Sequence, residues 1–361
     1  MYGDYNRIRQ IGESRLTETH PRPHIQCENS HAMGNAMGNV REMFDLYEKY
    51  PSLTGEFIWD WKDQSLRMPV PGKSDANFWA YGGDFGDKPN DGTFCTNGLI
   101  FADYTLSAKS YNTKKIYQPV DFSMKEDGKT FRLKSKLAFK DTDDLDILYS
   151  ILEDGKVIKT GRLDNVLSPG ETEEVVIDAL ELMTKKDAEY FIRFNVYQKA
   201  ATWWADAGYE VASEQIQLQQ ALKPHYQIPA SGDLAVEEGT DGIRISGTGF
   251  EAVFSREQGT LVSYTKDGKQ LINSPMELNL FRLPTENDKR QAGSWDNLGI
   301  RDLSVKAGTW KISQSEGTHA ADLTITNIYQ AKGSNSYTVS MAFKVISDGT
   351  IIVSTLFDPA I

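Results

Sequence analysis

The sequence predicts a multidomain protein in which an α/β segment is followed by all-β segments. A short apolar strand, a helix pattern and a second short strand follow one another within residues 24–61. This order is typical of a βαβ unit with parallel strands and a right-handed crossover. From residue 117 onward, apolar and polar residues alternate with a period of two, which is typical of half-buried strands. A length of 361 residues is enough for two or three domains.

The composition excludes several classes of function. Hydrophobic residues make up 39% of the chain and aromatic residues 11%, which supports packed cores and argues against disorder. The formal net charge of −12 disfavours nucleic acid or an anionic membrane as a partner, because both repel an acidic surface. No run of about 18 apolar residues indicates a membrane span. Two cysteines, Cys27 and Cys95, are too few for a disulfide framework.

The α/β segment comprises residues 1–116. Residues 1–23 show no helix start and no strand pattern. His24–Glu28 is predicted as a strand, and a helix with Asn35 as its N-cap follows and ends near Lys49. GEFIWDW at 55–61 is predicted as the second strand. A long connection over 62–106 follows, of a length that is usually functional, and residues 107–116 indicate a weak helix.

Glu28 is the central residue of this segment. A charged residue at the carboxyl end of a buried strand is how (β/α)₈ barrels present catalytic groups. On the local pattern alone, a structural role for Glu28 at the start of the following loop is an equally good interpretation.

The remainder of the chain forms two predicted β segments. About seven alternating strands over 117–221, with a turn at Asp154-Gly155, predict an immunoglobulin-like sandwich. Residues 222–361 begin with a linker and continue as strands, with hairpin turns at Asp267-Gly268 and Asp348-Gly349. The chain stops directly after a strand, so we expect this third domain to be incomplete.

Six stretches carry a resemblance to a known family. CENSHAMGN, FIWDWKDQSL, YGGDFGDKPNDGTFCTNG and LIFADYT, at 27–35, 57–66, 81–98 and 99–105, closely resemble the LacZ-type β-galactosidases of glycoside hydrolase family 2. WWADAGYEVASEQIQL (203–218) and NLFRLPTENDKR (279–290) resemble later parts of the same enzymes. The resemblance implies the C-terminal part of a (β/α)₈ TIM barrel, then an immunoglobulin-like β-sandwich, then the first part of the large small-chain-type β-sandwich.

The resemblance also implies a reaction and its residues. Such enzymes cleave terminal β-D-galactosides of the lactose type by double displacement, with two carboxyl groups roughly 5 Å apart. Glu28 would be the nucleophile that forms the galactosyl-enzyme intermediate. His31 would contact the galactosyl group and stabilise the transition state, and Trp59 would form the floor of the galactose subsite. Tyr2 would support the nucleophile, and Asn97 would contact the sugar.

The resemblance further implies cations. The Phe94 backbone carbonyl and the Asn97 side-chain oxygen would bind Na⁺, since hard cations prefer oxygen ligands. Ligands of Mg²⁺ are expected on an N-terminal part that this chain lacks. Without the resemblance, Asn97 would be read as part of an ordinary turn, Trp59 as core and His31 as a loop hydrogen-bonding residue.

The chain departs from the family pattern at several points. No motif of the GNESGHG kind, which holds the family's acid/base glutamate, occurs in the sequence. We therefore expect a fragment that lacks the N-terminal half and has negligible activity alone. Asn29-Ser30 replaces the Tyr-Ala of many members, so the family resemblance does not predict how these two residues pack. Trp61 is expected to pack, and four aspartates are candidate salt-bridge partners beneath the site: Asp60, Asp63, Asp84 and Asp87.

Two other functions remain open at this point. One is a carbohydrate-binding or scaffolding module without catalysis, and the other is a family 2 hydrolase of a different β-glycoside. The expected partner is a β-galactoside or oligosaccharide, with no nucleic acid and no membrane. The family's dimers and tetramers imply a homo-oligomer for the intact enzyme. The compartment stays open, with the cytoplasm favoured over the periplasm.

Overall fold

A computed structural model describes residues 4–222, 231–314, 319–332 and 335–359. The chain divides into two compact units, Met1–Pro224 and His225–Ile361. The helices are α1 Tyr5–Ser14, α2 Val40–Lys49, α3 Ala108–Ile116 and α4 Lys289–Leu298. The strands of the first unit are β1 His24–Asn29, β2 Leu53–Ile58, β3 Leu66–Pro69, β4 Asn77–Ala80, β5 Val120–Met124, β6 Thr130–Ser135, β7 Leu145–Glu153, β8 Lys156–Leu163, β9 Thr172–Val176, β10 Tyr190–Gln198 and β11 Glu210–Gln219.

The α/β segment contains the predicted βαβ unit. Strands β1 and β2 pair in parallel, and α2 connects them with Val40, Met43 and Leu46 buried on its inner face. The helix begins at Val40 rather than at Asn35, because Asn39 adopts a left-handed conformation (φ 61°) that separates the preceding loop from the helix. The long connection contains a β3–β4 hairpin and a short 3₁₀ turn at Gly92–Cys95. The predicted helix over 107–116 is confirmed, with the Ser107 side chain as its cap.

Helix α1 corrects the expectation that residues 1–23 contain no element. The Asp4 carboxylate accepts the backbone N–H of Arg7 at 2.9 Å, as an N-cap residue does. Ile8 is buried and packs with Met43 and Leu46 of α2. An N-cap aspartate followed by Ile8 and Ile11 on one face is the signal that the sequence prediction missed. Tyr2 lies outside the described residues.

The predicted seven-stranded sandwich is confirmed. Strands β5, β6 and β9 form one antiparallel sheet, and the other has the order β11-β10-β7-β8. Asp154 and Gly155 both have positive φ (46° and 78°), which fits the tight turn between β7 and β8. The two sheets enclose an apolar core in which Phe194 stacks on Phe122 with ring centroids 4.5 Å apart.

Lys136 links the helices to the sandwich within the first unit. Its Nζ lies 2.6 Å from a carboxylate oxygen of Glu48 in α2 and 3.5 Å from Asp121 in β5. It also donates to the backbone carbonyl of Ile116, the last residue of α3, at 3.0 Å. The side chain is only 9% exposed, so these contacts compensate a largely buried charge.

The second unit consists of two antiparallel sheets. Its strands are β12 Leu234–Glu238, β13 Gly242–Gly247, β14 Phe250–Ser255, β15 Thr260–Lys266, β16 Lys269–Gln270, β17 Ser304–Ser313, β18 Ala320–Gln330, β19 Ser336–Ile346 and β20 Ile351–Asp358. Strands β12–β16 form one sheet in chain order and β17–β20 the other. Apolar residues of both sheets share one core, where the rings of Phe254 and Phe343 meet edge to face at 5.0 Å. The predicted alternation over β19 is confirmed.

Candidate active site

The end of β1 contains a bulge that places Glu28. Gln26 lies opposite Glu56 on β2, whereas Asn29 lies opposite Ile58, so β1 advances three residues where β2 advances two. The additional residue turns Asn29 inward, where it is buried, and leaves Glu28 half-buried beside it. Bulges next to active sites redirect side chains in this way.

Backbone hydrogen bonds connect the loop after β1 to the end of β2. The Trp59 N–H donates to the Asn29 carbonyl at 3.3 Å, and the Ala32 N–H donates to the Trp59 carbonyl at 2.7 Å. Residues 29–32 therefore lie alongside Trp59. Glu28, His31 and Trp59 are brought to the same end of the two parallel strands, and the Trp59 side chain remains half exposed there.

Residues 94–99 approach the same strand ends. The Asp60 N–H donates to the Asn97 carbonyl, and the Leu99 N–H donates to the Asp60 carbonyl, both at 2.9 Å. Gly98 permits this approach, because a Cβ there would lie 2.2 Å from the backbone nitrogen of Asp63. The amide of Asn97 consequently lies 3.5 Å from Nε2 of His31.

His31, Phe94 and Asn97 form a compact group. The ring of Phe94 stacks on that of His31 with centroids 5.3 Å apart and an interplanar angle of 23°. Asn97 is only 3% exposed, and its Oδ1 is buried without a hydrogen-bond partner among the described residues. An unsatisfied buried acceptor costs about 1–3 kcal/mol. A hard cation would satisfy this oxygen, so the residues present fit the expected Na⁺.

The four aspartates have a role that differs from the predicted one. Asp63 accepts the Gly98 N–H at 2.8 Å, and Asp84 and Asp87 accept the N–H groups of Tyr81 and Gly83 at 2.9 Å. Within residues 4–222, none of the four forms an ion pair; they fix loop backbone instead, and Asp60 accepts from its neighbour Gln64. The expectation for Trp61 was also wrong, because its side chain is 68% exposed.

Known protein families match the chain in the same order as its three predicted segments. Three family profiles match: "Glycosyl hydrolases family 2, TIM barrel domain" over residues 1–122, "Beta-galactosidase, domain 4" over 131–219 and "Beta galactosidase small chain" over 246–360. The chain belongs to the LacZ-type β-galactosidases of glycoside hydrolase family 2. This agrees with part of a TIM barrel followed by β-sandwich domains.

Relatives within this LacZ-type family are longer than the chain. A β-galactosidase of Priestia megaterium is 38% identical over 84% of the chain and 28% of that protein. Those of Halalkalibacterium halodurans and Clostridium acetobutylicum are 31% and 30% identical over 96% of the chain, which covers 33% and 38% of their lengths. The chain thus spans about a third of the relatives' length.

Among the described helices, none is long and apolar enough to cross a membrane.

A buried polar network that includes Asn29 lies beneath Glu28. The Gln26 amide donates to the Glu28 carbonyl and to Oδ1 of Asn29, both at 3.3 Å. The Tyr47 hydroxyl donates to Oε1 of Gln26 at 2.9 Å. Asn29 in turn donates its amide N–H to Glu56. Residue 29 is thus a polar member of a hydrogen-bonded cluster.

Two further residues that the sequence prediction missed lie beside the candidate site. The Tyr117 hydroxyl donates to Oε1 of Glu56 at 3.1 Å, from the end of α3. Lys109 of α3 donates to the Ala32 carbonyl at 2.6 Å, and burial lowers its pKa. Lys109 therefore holds the loop that carries His31. Nothing local in the sequence indicates these contacts, because their partners are more than 60 residues apart.

Proposed function

We propose that the whole protein is a retaining glycoside hydrolase of terminal β-D-galactosides, and that this chain supplies its nucleophile, Glu28. One observation supports this most strongly: the ends of β1 and β2 bring together Glu28, His31 and Trp59, and Asn97 contacts His31 there. The names of the relatives support galactosides as the substrate class. A homo-oligomer of the intact enzyme remains an expectation from the family.

In the proposed reaction, a carboxylate oxygen of Glu28 forms a bond with the anomeric carbon. The bond from that carbon to the aglycone oxygen breaks, and its electron pair goes to the departing oxygen, which a second carboxyl group protonates. The second carboxyl group, now deprotonated, takes a proton from water as the water oxygen forms a bond with the anomeric carbon. The bond to Glu28 breaks, its electron pair returns to the Glu28 carboxylate, and galactose is released with retained configuration. No residue of this chain is assigned as the second carboxyl group.

The neighbouring residues have proposed roles in binding. His31 would donate to a galactosyl hydroxyl and strengthen that bond in the transition state. The half-exposed indole of Trp59 would cover the C–H face of the sugar. Na⁺ would be held by Oδ1 of Asn97 and the Phe94 carbonyl, and when bound it would supply positive charge next to the sugar. Ligands of Mg²⁺ are not assigned to this chain.

Covalent labelling tests the proposal on the nucleophile alone. 2,4-Dinitrophenyl 2-deoxy-2-fluoro-β-galactoside has a leaving group that departs without protonation, so labelling does not require the acid/base residue. The whole protein should gain one fluorogalactosyl group, found by mass spectrometry on the peptide that contains Glu28. Glu28→Gln should take up no label and lose at least about 10³-fold in kcat.

Glu42→Gln is the matched control, since Glu42 is exposed on α2, and it should label like the parent. Labelling of a different carboxylate would contradict the assignment of Glu28. Galactose binding without labelling or turnover would favour a non-catalytic module instead. Faster turnover of an aryl glucuronide, mannoside or fucoside than of the galactoside would change the sugar but keep the nucleophile.

A further inference from the structure

A cleft of the first unit contains none of the residues that the proposed reaction uses. It lies between the end of α3 and the β6–β7 and β10–β11 loops of the sandwich, and its volume is about 390 Å³. We infer that this cleft is a second sugar-binding site, in which aromatic rings cover the C–H face of a mono- or disaccharide and buried oxygen atoms accept its hydroxyl groups. The inference goes beyond the proposed function and does not depend on the role of Glu28.

Two aromatic side chains between β10 and β11 line one side of the cleft. Trp204 and Tyr209 meet edge to face, with ring centroids 5.7 Å apart and an interplanar angle of 82°. Both side chains are about half exposed. Nζ of Lys114 in α3 lies 4.6 Å from the centroid of the Tyr209 ring and holds it in place. Half-exposed rings of this kind offer an apolar face to the C–H groups of a sugar while their polar ends stay in water.

Gln198 lines the cleft from a core position at the end of β10. Every second residue of this strand is buried, and the apolar Phe194 and Val196 precede Gln198 in that series. Gln198 is only 5% exposed, and its Oε1 has no hydrogen-bond partner among the described residues. A buried acceptor without a donor costs free energy. Because the side chain lines the cleft, a hydroxyl group that enters the cleft can donate to this oxygen.

Asp144 supplies a second acceptor and helps to identify the ligand. Its Oδ2 accepts from Lys140, whereas its Oδ1 is buried and has no partner in the part of the chain that the structure describes. The carboxylate charge is thus compensated, which favours a neutral ligand over an ion.

The same residues exclude other small ligands. Over the described ranges, no group of three or more His, Cys, Asp or Glu side chains could hold a metal ion. The volume lies near the small end of the roughly 300–1,000 Å³ of small-molecule sites. A small neutral molecule with several hydroxyl donors and an apolar ring face is a sugar, and one or two rings fit this volume better than a long oligosaccharide.

Fluorine NMR of the whole protein tests the inference, in the Glu28→Gln form so that no sugar is hydrolysed. With 5-fluorotryptophan incorporated, the resonances of Trp204 and Trp203 are assigned by their loss in Trp204→Phe and Trp203→Phe. Lactose or maltose should shift the Trp204 resonance to a saturating value, whereas an equal concentration of glycerol should not. Trp203 is the matched control: its side chain is 95% exposed and does not line the cleft, so its resonance should not move.

Two variants of the cleft show whether the shift reports binding there. Gln198→Leu should raise the Kd of the bound sugar about fivefold, because one hydrogen bond is lost. Tyr209→Leu should raise it at least about threefold, since one aromatic ring is removed. Tyr209 is half exposed, so this variant keeps the test decisive even if Gln198→Leu does not fold. Gln217→Leu, at an exposed position of β11 in the same sheet, should leave the Kd unchanged.

The outcomes separate this inference from the proposed function. If neither sugar gives a saturable shift of the Trp204 resonance, or if the parent's Kd persists in either folded cleft variant, the second sugar site does not exist. With Glu28 intact, both cleft variants should still gain the fluorogalactosyl label. Failure of that labelling in the parent would refute the proposed function and would leave the shift of Trp204 unchanged.

Discussion

Asn97 combines two properties that rarely occur together in a side chain without a ligand. It is almost fully buried, and one face of its amide contacts His31 while Oδ1 has no partner among the described residues. Burial of an unsatisfied oxygen costs free energy that a bound ion would recover. The residue thus supports both proposed functions of its position, contact with the sugar and binding of Na⁺.

Replacement of Asn97 should abolish a sodium-specific gain in stability. At equal ionic strength, the whole protein should melt at a higher temperature in NaCl than in choline chloride, because an ion that binds only the native state stabilises it. The gain is about 1.4 kcal/mol at a concentration of about ten times Kd. Asn97→Ala should melt at the same temperature in both salts, whereas Asn77→Ala, on exposed β4, should keep the difference. A sodium effect that persists in Asn97→Ala would contradict the assignment.

Some residues of the candidate site could be predicted from the sequence, and others could not, for physical reasons. Glu28, His31 and Asn97 lie in stretches whose sequences resemble the family. Their proximity in the fold could therefore be predicted. The contacts of Glu56 and Tyr117 could not, because Asn29 meets Glu56 where one additional residue in β1 turns Asn29 inward, and Tyr117 reaches Glu56 from the end of α3. A bulge leaves no mark in hydrophobic periodicity, and a hydrogen bond between residues 61 positions apart leaves none either.

Among the elements, the strands were predictable because apolar and polar residues alternate regularly along them. The helices were less predictable because their starts depend on single capping residues. Strand β10 alternates buried and half-buried residues along its whole length, which is the pattern that the sequence shows. Helix α1 depends instead on one capping aspartate and on packing of Ile8 against Met43 of α2, which lies more than 30 positions further along the chain. Helix α2 starts later than predicted because Asn39 has a left-handed backbone conformation. Asparagine adopts this conformation more often than most residues but does not require it, so the sequence does not predict where the helix begins.

The contacts of Lys136 predict how much this side chain contributes to holding α2, α3 and β5 together. Burial tends to raise the pKa of Glu48, but hydrogen bonds from Lys136 and Lys134 outweigh it, so the pKa is lowered. Lys136→Met keeps the apolar stem and removes the charge, and should cost about 1–3 kcal/mol at neutral pH, between the values for exposed and buried pairs. Because the lowered pKa stabilises the fold only above the ordinary glutamate value, the difference from the parent should shrink as pH falls through the folded pKa of Glu48.

Denaturant titrations at several pH values measure this difference. Lys140→Met is the control, since Lys140 pairs with Asp144 at the surface and should cost less than about 1 kcal/mol. A Lys136→Met penalty that stays constant from neutral pH to strongly acidic pH would show that packing, and not the pairing with Glu48, supplies the stabilisation.

The whole molecule has two units with separate apolar cores. Phe194 is fully buried in the first, and Phe254 is fully buried in the second. A chain whose two units have separate cores can unfold one unit without the other, so a single free energy of unfolding does not describe it. The candidate active site lies in the first unit, and its labelling therefore serves as an independent report on that unit.

Substitution in each core should separate the two units. Phe194→Ala and Phe254→Ala should each cost about 3–5 kcal/mol, because a large buried ring leaves a cavity. Limited proteolysis across a denaturant series should show early cleavage within 1–224 for the first variant and within 225–361 for the second. Phe254→Ala should still label at Glu28, and Phe139→Ala, whose ring is 99% exposed, should behave like the parent. If either core variant made both units cleave at the same, lowered denaturant concentration, the two units would unfold as one cooperative body and the prediction would be wrong.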